Sequence, residues 1–167
     1  SSSGRGWANL SNAPFRMYKR YTHEGGVATP LIVHWPAGMK AKGELRHAPG
    51  HLIDIAPTCL AAAGLEGKGM EGQSLLPVFA RDQKQARTLY WEHEGNRAVR
   101  KGDYKLVAIH NTPWELYDLS KDRSELKNLS SAMPKKTKEL RTAYEAWAKR
   151  VGAKPWDEVN VKKKKKE

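Results

Sequence analysis

The sequence predicts an α/β chain that becomes α+β in its C-terminal part, where a four-stranded antiparallel sheet is covered by one helix. Three observations carry that reading. Short β-prone runs follow one another from Thr88 to Leu119, with Glu94-Gly95 and Lys101-Gly102-Asp103 as the first two turns, a spacing that suits hairpins. One long stretch, Pro134 to Val151, places Leu140, Tyr144, Trp147 and Val151 at helical spacing. Upstream, Leu31-Ile32-Val33-His34-Trp35 is a compact apolar run closed by Pro36, which reads as a buried strand of a sheet.

From the start of the chain, residues 1–14 mix Ser, Gly, Asn and Pro and read as irregular. Residues 15–30 form a turn region whose Gly25-Gly26 pair allows positive φ and close backbone approach. The run at 31–35 is the strand, and Pro36 to Gly43 is a loop. A helix starts near Asp54, which can cap exposed N–H groups, with Pro57 in the first turn and Gly64 as the stop. Ile55, Cys59, Leu60 and Ala63 share one face of it, so Cys59 is expected to be a small buried helix residue. Residues 81–87 are polar and mark a subdomain boundary. Beyond it come strands at Thr88 to His93, Asn96 to Arg100, Tyr104 to Ile109 and Trp114 to Leu119, then the helix from Pro134, stopped at Gly152.

Composition narrows the functional classes. The lone cysteine, Cys59, rules out an internal disulfide and a cysteine-cluster metal site. Of the net charge of +12, residues 1–86 and 87–161 each hold +4 and the six residues 162–167 hold the other +4. The run Lys162 to Lys166 could attract polyanions through counterion release, but no base-stacking or helix-turn-helix signature accompanies it, so neither a specific nucleic acid nor a membrane is an expected partner.

Ser11-Asn12-Ala13-Pro14-Phe15-Arg16, then Lys19, Glu24-Gly25-Gly26 and Pro30, resembles the late part of a sulfatase, the arylsulfatase branch of the alkaline phosphatase superfamily. His51 to Thr58, Glu71 to Pro77, Trp91 to Arg100 and Glu115 to Leu119 are similar to later stretches of the same family. The resemblance implies that residues 1–86 are the end of the catalytic α/β domain, carrying a piece of the main sulfatase sheet. Residues 87–155 would be the small C-terminal subdomain and 156–167 a basic, disordered tail. It also implies that Lys19 contacts the sulfate group of the substrate. The family commonly has glycine where this chain has Arg20, which crowds the turn.

In that family, sulfate-ester hydrolysis uses a formylglycine made from Cys or Ser in Cys/Ser-x-Pro-x-Arg, beside a calcium ion held by Asp and Asn. Neither pattern occurs in this sequence, and Cys59 is followed by Leu60-Ala61-Ala62-Ala63. Calcium and formylglycine are therefore expected of the full-length enzyme and not of this stretch, for which no metal ligand is predicted. His23, four residues from Lys19, could line the same pocket or bond the turn, and His93 could reach the substrate rim or end a strand by ordinary hydrogen bonding. His47 and His51 stand at i, i+4, but Pro49-Gly50 between them argues against a helical zinc pair.

Two functions follow. The first is the C-terminal fragment of a sulfuric ester hydrolase, inactive alone, with a sulfate-ester substrate and the periplasmic or secreted location common in the family. The alternative is a basic non-catalytic module that binds sulfated or phosphorylated polyanions. The apolar first half would expose an edge, so self-association through that edge is expected, and residues 88–151 are expected to be the stable unit.

Overall fold

Tight turns organise the sheet. In the computed structural model, which describes residues 4–40, 43–83 and 87–160, β1 (Thr88–His93), β2 (Asn96–Lys101), β3 (Tyr104–Ala108) and β4 (Glu115–Asp118) pair antiparallel in sequence order. Glu94 and Gly95 turn the first hairpin with φ of 51° and 81°, the two left-handed residues of a type I′ turn. These are the four predicted strands, with small differences at their ends.

The pleat sends alternate residues to opposite faces. On one face Val99, Leu106 and Leu116 meet Leu140 and Tyr144 of α5 (Pro134–Val151), and all five are buried. Tyr90 stacks on Trp147 at 5.1 Å at the margin of this core. The helix has the predicted limits. Pro134 sits where a missing N–H costs little, and Gly152 closes the end at φ 70° with Lys149 and Arg150 in the last turn. Val151, expected on the core face, is exposed.

One helix was the expected cover, but the second face is covered too. It presents Ala98, Arg100, Lys105, Val107, Glu115 and Tyr117, with Arg100, Lys105 and Tyr117 aligned across three strands. Residues 15–30 lie on this face, joined to it through Arg16, His23 and Glu24. Compactness accordingly groups Ser1–Pro30 with Arg87–Glu167, and Leu31–Ala86 forms a second unit. The turn region thus belongs with the sheet and not with the stretch that follows it. Two expected irregular stretches are partly helical: α1 (Gly4–Leu10), and α6 (Trp156–Val159) at the start of the expected tail. The lysine run 162–166 lies outside the described residues.

In the second unit, residues 31–35 form no strand, and Leu31 and Ile32 are 55% and 91% exposed. A β-prone run becomes a strand only when a neighbour completes its ladder, and the described residues provide none. A short 3₁₀ turn (Leu52–Asp54) leads into α3 (Ile55–Ala62), and α4 (Leu76–Ala80) follows. Asp54 does serve the backbone, though not as a simple cap of α3. Fully buried, its carboxylate accepts from His51 N at 2.7 Å and Gln73 N at 3.0 Å. Thr58 Oγ1 donates to Asp54 O and accepts from Leu75 N, so the inward face of α3 is Pro57 and Thr58. The predicted apolar face is turned outward: Ile55 is exposed, and so is Cys59, which was expected to be buried.

Candidate functional site

The segment that carries Lys19 is a tight turn closed by Tyr21 N donating to Tyr18 O at 3.0 Å, with Lys19 and Arg20 at its centre. Arg20 takes φ of 98°, a backbone state that glycine reaches freely and that costs a residue with a Cβ about 1–2 kcal/mol. Two contacts offset that strain. Arg20 Nε lies 2.7 Å from Glu94 Oε2, and Asn96 Nδ2 donates to Arg20 O at 3.2 Å. The turn is thereby tied to the β1–β2 hairpin, whose first strand ends at His93. Lys19 itself is exposed, with no ion pair or hydrogen bond among the described residues.

Behind the turn the chain folds into α2 (Glu24–Val27). The glycine pair is required for close approach, and neither glycine has positive φ. A Cβ on Gly25 would strike the carbonyl oxygens of Arg16 and Met17, and one on Gly26 those of Tyr18 and Tyr21. Gly25 N also donates to Arg16 O at 3.0 Å. The short helix is thus pressed directly onto the turn that presents Lys19.

Glu24, buried at 4% exposure, anchors α2 to the sheet. Lys105 Nζ donates to Glu24 Oε1 at 2.9 Å, and Arg123 Nη2 to Glu24 Oε2 at 3.1 Å. Glu24 N donates to Glu125 Oε2 at 2.8 Å. Glu125 Oε1 lies 3.0 Å from Lys105 Nζ, outside hydrogen-bonding geometry, so that contact is purely electrostatic. Lys105 and Glu125 are wholly buried. Burial works against the charge on Glu24, but Lys105 and Arg123 outweigh it and hold the carboxyl below its ordinary range. A lysine is seldom buried without such partners.

His23 belongs to a neighbouring network. Its side chain is 1% exposed, and Nε2 lies 3.2 Å from Glu115 Oε2. Tyr117 Oη donates to the same carboxylate oxygen at 2.8 Å, and Arg16 Nη1 donates to Tyr117 Oη at 2.9 Å and Glu125 O at 2.8 Å. Burial pulls the His23 imidazole below its ordinary pKa despite the nearby carboxylates. For Glu115, burial opposes the charge, yet the bonds from Tyr117 and His23, with Arg16 nearby, keep it low.

The structure therefore separates the three site residues named from the sequence. Lys19 and His93 are exposed, on a turn and a hairpin that Arg20 joins. His23 points into the sheet and is buried there. The reason is the alternation of Glu115 and Tyr117, which leaves a carboxylate and a hydroxyl on the face that residues 15–30 cover. Lys105, Glu125, Arg123 and Arg16 were missed. The one available signal was Lys105, a cation between Tyr104 and Leu106 in a run of otherwise apolar strand residues.

The site does not fit a calcium ion. Calcium takes about 6–8 oxygen ligands. Among the described residues, no group of three or more Asp, Glu, His or Cys side chains could hold a metal. The two buried carboxylates nearest the turn, Glu24 and Glu125, already face Lys105.

Comparison with known proteins gives a consistent result. The model of the family described as N-sulphoglucosamine sulphohydrolase, C-terminal, matches residues 15–149. The chain is 33% identical to an uncharacterized sulfatase of Schizosaccharomyces pombe over 154 residues, which is 82% of this chain and 28% of that protein. It is 33% identical to the N-acetylgalactosamine-6-sulfatase of Mus musculus over 126 residues, 72% of this chain and 24% of the relative. Among solved structures, Ps i-CgsB superposes with a TM-score of 0.73 at 25% identity, over 84% of this chain and 34% of that one. The chain thus spans about a quarter of the length of the curated relatives it matches.

Proposed function

The chain belongs to the sulfatases, in the family of N-sulphoglucosamine sulphohydrolase C-terminal regions, and on that premise we propose that it works as the C-terminal part of a sulfuric ester hydrolase. Within that enzyme Lys19 is the sulfate contact. The observation that supports this is geometric: the turn lies within the stretch that the family model matches, is strapped to the sheet on two sides, and presents Lys19 outward with no competing partner among the described residues.

The chemistry asked of Lys19 is electrostatic. Hydrolysis of a sulfate ester moves charge among the sulfuryl oxygens as the S–O bond to the alcohol breaks. An ammonium held against those oxygens stabilises that charge, and a fixed donor is worth about 10²–10³ in rate because it need not reorganise. The family's formylglycine and calcium would come from segments outside these residues, so the chain by itself is expected to be inactive. N-acetylgalactosamine-6-sulfatase is named for a sulfated sugar, and Ps i-CgsB has been solved in complex with k-i-k-neocarrahexaose. Both support a carbohydrate sulfate as the substrate class. His93, exposed at the hairpin beside the turn, would line the sugar side of the site. Among the described residues no helix is long and apolar enough to cross a membrane. The periplasmic or secreted location common in the family is the location proposed.

The test is Lys19→Ala in the enzyme that carries this chain, with hydrolysis of a sulfated monosaccharide as the assay. A fall in kcat/KM of about 10²-fold or more is expected. Unchanged kcat/KM, or turnover of an aryl sulfate by the pure chain alone, would overturn the reading.

A further inference from the structure

The ion cluster beneath the turn has a reach that the sulfate contact alone does not explain. Lys105 sits on β3 with its ammonium between Glu24 and Glu125 at 2.9 Å and 3.0 Å. Glu24 opens α2, and Glu125 takes the backbone N–H of Glu24 as well. The next two residues, Gly25 and Gly26, lie directly against the carbonyl groups of residues 16, 17, 18 and 21. The bond from Tyr21 N to Tyr18 O then closes the turn around Lys19. Every link is short and either ionic or backbone, and no flexible side chain intervenes between Glu24 and the turn. Glycine is the one residue small enough to keep the last contact, so the backbone that follows Glu24 bears directly on the turn.

We infer that Lys105 and Glu24 form a positioning pair for Lys19: the buried ion pair fixes the height of α2 on the sheet and through it the place of the Lys19 ammonium. The pair touches no substrate and acts through the turn. This rests on Lys19 being the sulfate contact. The pair differs from an ordinary buried ion pair because its acidic member lies one and two residues before the glycines that bear on the turn. Arg123 also reaches Glu24, at 3.1 Å, but its side chain is 57% exposed, so Lys105 supplies the fixed end.

A double-mutant cycle in the enzyme carrying this chain tests it, with sulfated-monosaccharide hydrolysis as the readout. Glu24→Gln keeps the shape and an oxygen acceptor for Lys105 but removes the charge, and Lys105→Met removes the cation while keeping the stem. Each is expected to lower kcat about tenfold or more while KM moves less than about twofold, the signature of an interaction made in the transition state. In the Lys19→Ala background the same changes should cost less than about twofold, because the residue they place is gone. A residue that merely supports the fold would cost the same factor in both backgrounds, and that outcome overturns the inference while leaving the role of Lys19 intact. If Lys19→Ala has no effect, the functional reading itself fails. If neither Glu24→Gln nor Lys105→Met yields folded enzyme, the pair is a requirement of the whole unit, and the positioning role is equally overturned.

Discussion

Replacing Lys105 by methionine should destabilise the sheet-containing unit by about 3–5 kcal/mol at neutral pH, the range seen when one member of a buried ion pair is removed. Two contacts are lost together, at 2.9 Å to Glu24 and 3.0 Å to Glu125. At an effective dielectric constant of about 20, each is worth about 5–6 kcal/mol before desolvation is subtracted. The ammonium no longer has to leave water, which offsets part of the loss. The carboxylates stay buried, with Arg123 still on Glu24 and the Glu24 N–H still on Glu125. The sign of the pH dependence is the sharper test. In the native protein the Glu24 carboxyl is held below its ordinary value of 4.5, so its contribution is present above that value and lost as pH falls through the lowered one. Without Lys105, burial weighs more heavily on the Glu24 carboxyl, opposed only by Arg123, and raises it, so the variant binds a proton that the native protein does not. The deficit should therefore shrink on acidification towards about pH 5, by at most about 1.4 kcal/mol per pH unit for that one proton. Urea unfolding followed by tryptophan fluorescence at both pH values measures it. A loss below about 1 kcal/mol, the range of exposed pairs, or a deficit that does not change with pH, would refute the reasoning.

His23 sets a second, higher pH window. Its imidazole is held by burial below the ordinary value of 6.5, so the unfolded chain takes up a proton first and stability should fall as pH drops below 6.5. The slope is at most about 1.4 kcal/mol per pH unit for one proton. His23→Gln should flatten stability between that value and the carboxylate range, and a slope unchanged in the variant would remove His23 as its source. Gly26→Ala places a methyl group against the carbonyls of Tyr21 and Tyr18, which cannot rotate away as a side chain can. A loss of about 2–3 kcal/mol is expected from overpacking, read as a lowered thermal midpoint, and a midpoint equal to the native one would show that the turn can yield.

The sheet and α5 were legible because their signals are local. Two glycine turns and a 3.6-residue period fix β1 to β3 and Pro134–Val151 without reference to anything distant. Residues 31–35 misled for the opposite reason, since a strand is a property of a pair and the sequence shows one member. Ile55 and Cys59 share an apolar helical face, yet α3 turns Pro57 and Thr58 inward because Thr58 and Asp54 hold the backbone around Leu75 and Gln73. Lys19 was named from a motif, and its turn and the glycine pair behave as close-approach chemistry requires. The cluster around Lys105 was not found, because in a sequence a strand lysine reads as solvent-facing. What makes it inward is a segment eighty-one positions earlier that covers the second face of the sheet.

That separation carries a consequence for biosynthesis. Glu24 meets Lys105 across 81 positions, Glu24 N meets Glu125 across 101, and Arg16 meets the Glu125 carbonyl across 109. A ribosome adding about 5–20 residues each second releases the Lys19 turn well before the partners that seat it are made. The acidic anchor and the glycine pair must wait, unsatisfied, until β3 and the Arg123–Glu125 loop have emerged. Completion of the surface that presents Lys19 is thereby coupled to synthesis of the chain through Glu125, so a polypeptide truncated before that point would carry the Lys19 motif without the support that shapes it.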